Sequence, residues 1–181
     1  MTVKLHNTLI SGSISIDKII NKYGTYTNVL GGSAAYALCS TPEKTCQLIG
    51  VVGNDFLEEH LNLVNRYSIS LSDLRIADGK TFIWGGEYTS DFSSRTTLYV
   101  DPGIAESCLP ILSKESKQCN YVLLGNTSPT VQLSILDQID SNPFIMMDTF
   151  KLYIDIALKD LKVTMRKSDL LCINYNEALH L

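Results

Sequence analysis

Apolar residues along this chain follow two spacings in turn, and the alternation lays out its elements. Short β-branched runs recur at residues 8–16, 45–52, 121–125, 144–147 and 169–173. Each has strand length and too few polar positions to leave a face in water, the pattern of strands buried on both sides. Residues 8–16 read as one such strand, ending near Asp17. Between the runs, apolar residues return every three or four positions, as on one face of a helix. Helices are predicted from Ser33 until Pro42 closes the region, through Leu57, Leu61 and Val64, over 130–139 behind Pro129, over 153–161, and from Asn174 onward. Asp55 and Glu58 stand at capping-box spacing ahead of the second of these.

Two intervals break the alternation. Residues 18–30 carry Ile19, Ile20, Tyr23, Tyr26 and Val29 around Gly24, which suits a hairpin or an extended excursion. Residues 69–100 favour strands at 81–84, 87–89 and 96–100, punctuated by Gly79, Gly85-Gly86 and 91–94. They predict a small antiparallel excursion standing off a main sheet. Strand and helix in turn elsewhere predict an α/β fold, a mostly parallel sheet covered on both faces. Ligands of such sheets bind beyond the carboxyl ends of the strands. That rule draws Asp17, Gly31-Gly32, Asn126, Asp148 and Asn174 to one edge.

Composition removes several classes of function. The chain has 181 residues, enough for one sizeable core. Its 15 basic and 19 acidic residues give a net charge of −4 without a basic run, which argues against nucleic acid as a partner. No apolar run reaches membrane-spanning length, and residues 1–6 lack the apolar core of a signal peptide, so no membrane partner is expected. The five cysteines are scattered, with no C-x-x-C pair and no histidine at ligand spacing. They read as free thiols of a cytoplasmic protein, not as a zinc site. Gly79-Lys80-Thr81 has the tail of a P-loop, but the upstream glycine would fall at Leu74, and no G-x-G-x-x-G follows the first strand. A dinucleotide-binding enzyme is thereby disfavoured.

The stretch with the most chemistry is Leu30-Gly31-Gly32-Ser33-Ala34-Ala35-Tyr36-Ala37. Two glycines let the backbone turn sharply and approach a ligand. Ser33 is a good N-cap for the helix that follows, and a hydroxyl or anion there would meet free backbone N–H groups. The plainer alternative is a tight loop before a buried helix.

Six segments, in order, resemble the PfkB (ribokinase-like) carbohydrate kinases. They are Gly12-Ser13-Ile14-Ser15-Ile16-Asp17, the Gly31-Gly32 stretch, Gly50-Val51-Val52-Gly53-Asn54-Asp55, Gly79-Lys80-Thr81-Phe82-Ile83-Trp84-Gly85-Gly86-Glu87-Tyr88, Met147-Asp148-Thr149 and Ile173-Asn174-Tyr175-Asn176-Glu177-Ala178. The resemblance covers nearly the whole chain. It implies a ribokinase-like, Rossmann-type three-layer sandwich with a small β lid, formed by residues 69–100 and also 18–30 if these are strands. It implies ATP-dependent phosphorylation, with Mg²⁺, of a hydroxymethyl group on a sugar or nucleoside, and a homodimer through the lid as one arrangement.

By that resemblance Asp17, Gly31, Gly32 and Ser33 would bind the sugar, with Trp84, Tyr88 and Tyr99 packing on it. The alternatives are a strand-end turn for Asp17 and a lid core for the aromatic residues. Asn174 and Glu177 match an N-x-x-E motif that arranges Mg²⁺ and its waters near the phosphates, and their spacing is equally that of a capping box. Phe150-Lys151 departs from the asparagine-containing pattern expected after Asp148-Thr149, so Asp148 is left outside the expected site. Nothing resembles the family's G-A-G-D segment, so no catalytic residue is assigned. The expectation is that residues 1–181 are the N-terminal part of such a kinase, without its ATP-binding and catalytic portion, and inactive alone. A truncated, non-catalytic sugar-binding protein and an unrelated α/β binding domain are the other readings.

Overall fold

The computed structural model describes residues 8–181. Its first strand, β1 (Thr8–Ser11), is half as long as the sequence pattern suggests. At Gly12 the chain turns out of the sheet, and β2 (Ser15–Asn21) begins a second one. The apolar run 8–16 is thus two strands in two sheets. Its composition is continuous because both halves are buried, which hides the break.

β2 returns through β3 (Gly24–Gly31), so residues 18–30 form the predicted hairpin. Helix α1 (Ser33–Cys39), strand β4 (Cys46–Gly53) and helix α2 (Glu58–Tyr67) follow. The interval 69–100 divides between the two sheets. β5 (Leu74–Ala77) pairs in parallel with β4 at the edge of the large sheet. Only β6 (Phe82–Tyr88) and β7 (Arg95–Asp101) join the hairpin, in the order β3-β2-β6-β7. β6 runs unbroken through Gly85-Gly86, against the expectation that these glycines end a strand. The rings of Trp84 and Tyr99 lie where their side chains would be, covering the exposed backbone.

The chain then completes the large sheet with β8 (Tyr121–Leu124), α3 (Pro129–Leu136), β9 (Phe144–Asp148), α4 (Lys151–Ile156), α5 (Leu158–Arg166), β10 (Leu170–Cys172) and α6 (Tyr175–His180). The helix predicted over 153–161 is two, because Ala157 leaves helical geometry at φ −135°. From that break α4 runs against α6 and α5 against α3.

The six strands stand in the order β10-β9-β8-β1-β4-β5, and every pairing is parallel. Side chains alternate across the pleat and fill two cores. Leu9, Ile49, Val122, Leu124 and Met147 pack with Ile135, Ile154 and Leu161 from α3–α5. Ile10, Leu48 and Val52 pack on the other face with Ala34 and Leu38 of α1 and Val64 of α2. Helix, sheet and helix make the three-layer sandwich. No helix among the described residues is long and apolar enough to cross a membrane.

β1 lies in the middle, and the chain leaves it first toward β4 and later, from the far edge, reaches β8 on its other side. The crevice beyond β1 and β8 is therefore the switch point where such sheets hold ligands. Asp55, expected to cap α2, does something else. Leu57 is the N-cap residue, and the Asp55 carboxylate accepts from the Thr81 N–H at 2.7 Å and the Thr81 hydroxyl at 2.8 Å. It fastens the entry of β6 to the end of β4. Thr81 is buried, so Asp55→Ala strands its N–H and should cost about 1–3 kcal/mol. Urea unfolding measures this, with Asp55→Asn, which keeps the accepting oxygen, losing less.

Candidate functional site

At the switch point two chain segments cross almost in contact. Ser33 donates its N–H to the Ser13 hydroxyl at 3.0 Å, and Ser13 donates its own N–H to the Ser33 hydroxyl at 3.2 Å. Ala34 N–H donates to the Ser13 carbonyl, and Ser13 N–H also reaches the carbonyl of Asn126 beyond β8. Gly32, at φ 95°, is the residue that permits this, since a Cβ there would stand 2.2 Å from the Ser13 carbonyl oxygen. Gly32, and not Ser33, is the N-cap residue of α1. Two of the N–H groups expected to be free for a ligand, those of Ser33 and Ala34, are held by Ser13. Ser33 lies here as a clasp between the two sheets.

Asp17 lies one strand away, buried on β2. Its carboxylate sits over Gly31, where a Cβ would come 2.0 Å from Oδ2, so only glycine at 31 leaves the carboxylate in place. Ser15, on the same face, is near enough for its hydroxyl to favour the ionised form. Oδ1 is buried without a partner. Burial pushes this carboxyl above its ordinary range, against the opposing pull of Ser15 and the positive charge of Arg95.

Register decides what else shares this face. Asp17 pairs with Trp84, and directly paired residues project to the same side. Alternation along β6 adds Gly86 and Tyr88, and Tyr88 pairs with Arg95. Arg95 lies over the Trp84 ring at 5.3 Å, and the Trp84 indole N–H reaches the Thr97 hydroxyl at 3.4 Å. Tyr36, on α1, is near enough that Asp17 and Tyr88 reinforce the upward shift that desolvation gives its hydroxyl. The result is a carboxylate at the base of a surface bearing Trp84, Tyr88, Tyr36 and Arg95. Tyr99 is not part of it. It pairs with Gly85, on the opposite face of the second sheet.

The other expected residues gather at β9 and α6. Asn174 and Glu177 form a full capping box: the Asn174 side chain accepts from Glu177 N–H at 3.0 Å, and Glu177 Oε2 accepts from Asn174 N–H at 3.0 Å. Glu177 is buried, and its charge adds to the desolvation that pushes Asp148 up to about 6, against a hydrogen bond from Thr149 N–H. No group of three or more His, Cys, Asp or Glu among the described residues comes together as a metal cluster. Magnesium does not require one, since it keeps most of its waters and uses one or two carboxylates. Asp148 beside Glu177 is a donor set of that kind. A cavity of about 240 Å³ lined by Thr8, Gln47, Ser70 and Ser113 opens at the amino ends of β1 and β4, away from these groups.

Sequence reasoning assigned no site role to Ser15, Tyr36, Arg95 or Asp148. Ser15 was within reach, two residues before Asp17 on one strand. Arg95 was not, because its face depends on a register shift between Gly85 and Gly86.

No family model matches the sequence, and no characterised protein sequence matches it. Solved structures do. A nucleoside kinase of Methanocaldococcus jannaschii, described as an archaeal member of the ribokinase family, superposes with a TM-score of 0.72 at 16% identity, over 97% of this chain and 63% of that one. A Burkholderia thailandensis nucleoside kinase in complex with inosine gives 0.69 at 16% identity, over 95% and 62%. A Cryptococcus neoformans ribokinase in complex with ADP gives 0.69 at 15% identity, over 94% and 57%. The fold is that of ribokinase-family kinases, and the chain spans about three-fifths of the length of these neighbours.

The native state holds the Asp148 proton more tightly than an unfolded chain does, so this group makes stability fall as pH rises from about 4 to about 6. Asp148→Asn should raise the melting temperature near pH 7, about where the native group is charged. The gain should vanish toward about pH 4. Thermal melts across that range check both statements.

Proposed function

We propose that this chain forms the substrate-binding part of an ATP-dependent phosphotransferase acting on a hydroxymethyl group of a sugar or nucleoside. The observation that carries the reading is the Asp17 carboxylate, buried over Gly31 with one oxygen unpartnered. A buried carboxylate oxygen without a donor is costly, and a ligand hydroxyl is the donor such a site lacks. The two oxygens of a carboxylate accept from two hydroxyls in fixed directions, which suits adjacent hydroxyls of a sugar ring. Support also comes from the solved neighbours of this fold, among them a nucleoside kinase bound to inosine.

In this reading Asp17 orients the ligand, Gly31 and Gly32 let it approach the backbone, and Trp84 offers the apolar face on which it rests. Ser33 acts through its clasp to Ser13. The second sheet serves as the lid that keeps water from the ligand. Asp148 and Glu177 would hold Mg²⁺ through its waters, and the ion would neutralise phosphate charge when ATP, the phosphoryl donor, is bound. No residue of this chain is assigned the role of general base.

Calorimetric titration of the protein with ribose and with inosine tests the site. Asp17→Ala should weaken the ligand that binds by about ten- to a hundredfold, the cost of losing charge-assisted hydrogen bonds. Gly31→Ala, which displaces the carboxylate, should weaken it comparably. Equal affinity for wild type and Asp17→Ala would remove the basis of the proposal.

A further inference from the structure

The two sheets meet at their ends, through the Ser13–Ser33 clasp and the Asp55–Thr81 bonds. One more contact reaches from a helix of the large sheet into the strands of the second. His60, in the first turn of α2, places Nε2 2.8 Å from the carbonyl oxygen of Asn28 in β3. The acceptor is a carbonyl, so the ring must carry its proton on Nε2. The imidazole is buried, rests at 5.6 Å from the Phe56 ring, and leaves Nδ1 buried without a partner. Glu59 lies 3.9 Å from Nε2, but its side chain is mostly in water and adds little. The ring therefore donates one hydrogen bond, to one backbone atom.

That atom belongs to a special residue. Asn28 has φ 57°, the left-handed region that asparagine tolerates better than most side chains. Across the hairpin, Asp17 pairs with Val29 while Ile19 pairs with Tyr26, so two residues of β3, Thr27 and Asn28, oppose Lys18 alone. This is a β-bulge, which bends its strand and leaves ladder groups unpaired. It lies immediately beside the Asp17–Val29 pair, and Gly31, two residues on from Val29, shares the face of Asp17. The bend at Asn28 thus sets how β3 carries Gly31 past the Asp17 carboxylate.

We propose that His60 is a positioning residue for the ligand site. Its Nε2–H holds the bulge at Asn28 and so fixes the strand pair bearing Asp17 and Gly31 relative to α2 and the large sheet. As a statement about ligand binding this rests on the reading of the Asp17 face given above. As a statement about strand geometry it stands by itself.

Two variants separate the hydrogen bond from the packing. His60→Phe keeps a ring against Phe56 and removes the donor. It should fold, because Asn28 is exposed and its carbonyl can turn to water. His60→Gln returns an N–H of similar reach. Backbone amide exchange around the Asp17–Val29 pair, read by NMR, should quicken about tenfold in His60→Phe, with the α2 amides unchanged, and recover in His60→Gln. The dissociation constant for ribose or inosine, whichever binds wild type, should rise about tenfold in His60→Phe and return to within about threefold in His60→Gln. Unchanged amide exchange in His60→Phe overturns the proposal, as does a His60→Gln protein that behaves like His60→Phe. If wild type binds neither compound, the failure belongs to the substrate reading, and amide exchange still decides the role of His60.

Discussion

Two backbones pass at Gly32 and Ser13 with no room for a side chain between them, and much of the molecule is arranged by that crossing. It joins the turn leaving the central strand to the first turn of α1, with Ser13 and Ser33 each donating a backbone N–H to the other's hydroxyl. Asn126 is drawn into the same knot from β8. The carboxyl ends of the two strands that flank the switch point are thereby held at one depth. The second sheet leaves from this knot, since β2 starts two residues after Ser13 and β3 ends one residue before Gly32. Loosening the crossing would move the large sheet, the first helix and the Asp17 strand together.

Much of this was legible in the residues. Strands buried on both faces announce themselves by composition, and the parallel sandwich follows from their alternation with amphipathic helices. The Gly31-Gly32 pair is legible as a close approach, although what approaches Gly31 is the protein's own Asp17 and what approaches Gly32 is Ser13. The misses share one physical cause, that sequence pattern reports burial and not partners. Residues 8–16 look like one strand because both sheets bury their share. Asp55 has the spacing of a cap yet serves Thr81, and Leu74–Ala77 resembles the excursion beside it yet pairs with β4. Tyr99 and Trp84 look alike in sequence, and only the pairing register puts them on opposite faces.

The site is also uneven in charge. Asp17 and Asp148 are both carboxyls raised by desolvation, but their neighbours differ. Asp17 has Arg95 and Ser15 to favour its ionised form, whereas Asp148 has Glu177, a like charge, across from it. In the proposed reading the first accepts from neutral hydroxyl groups without a metal. The second is a place where added positive charge relieves repulsion. A substrate with hydroxyls at one end, and a charged donor group brought to the other, would find each carboxyl in the state that suits it.

The origin of the second sheet bears on how the protein comes into being. Its strands come from two separate stretches, Ser15–Asn21 with Gly24–Gly31 and then Phe82–Tyr88 with Arg95–Asp101. The first hairpin is local, but its free edge stays open until β6 arrives, and the central strand lacks one neighbour until β8 does. Pairings of such sequence separation form slowly, and open strand edges invite pairing with other chains in the meantime. On a ribosome the hairpin carrying Asp17 emerges before β6 and must wait for it, and the central strand waits longer still for β8. Damage to the β6 attachment at Thr81 would therefore lower the yield of folded chains as well as the stability of those that do fold.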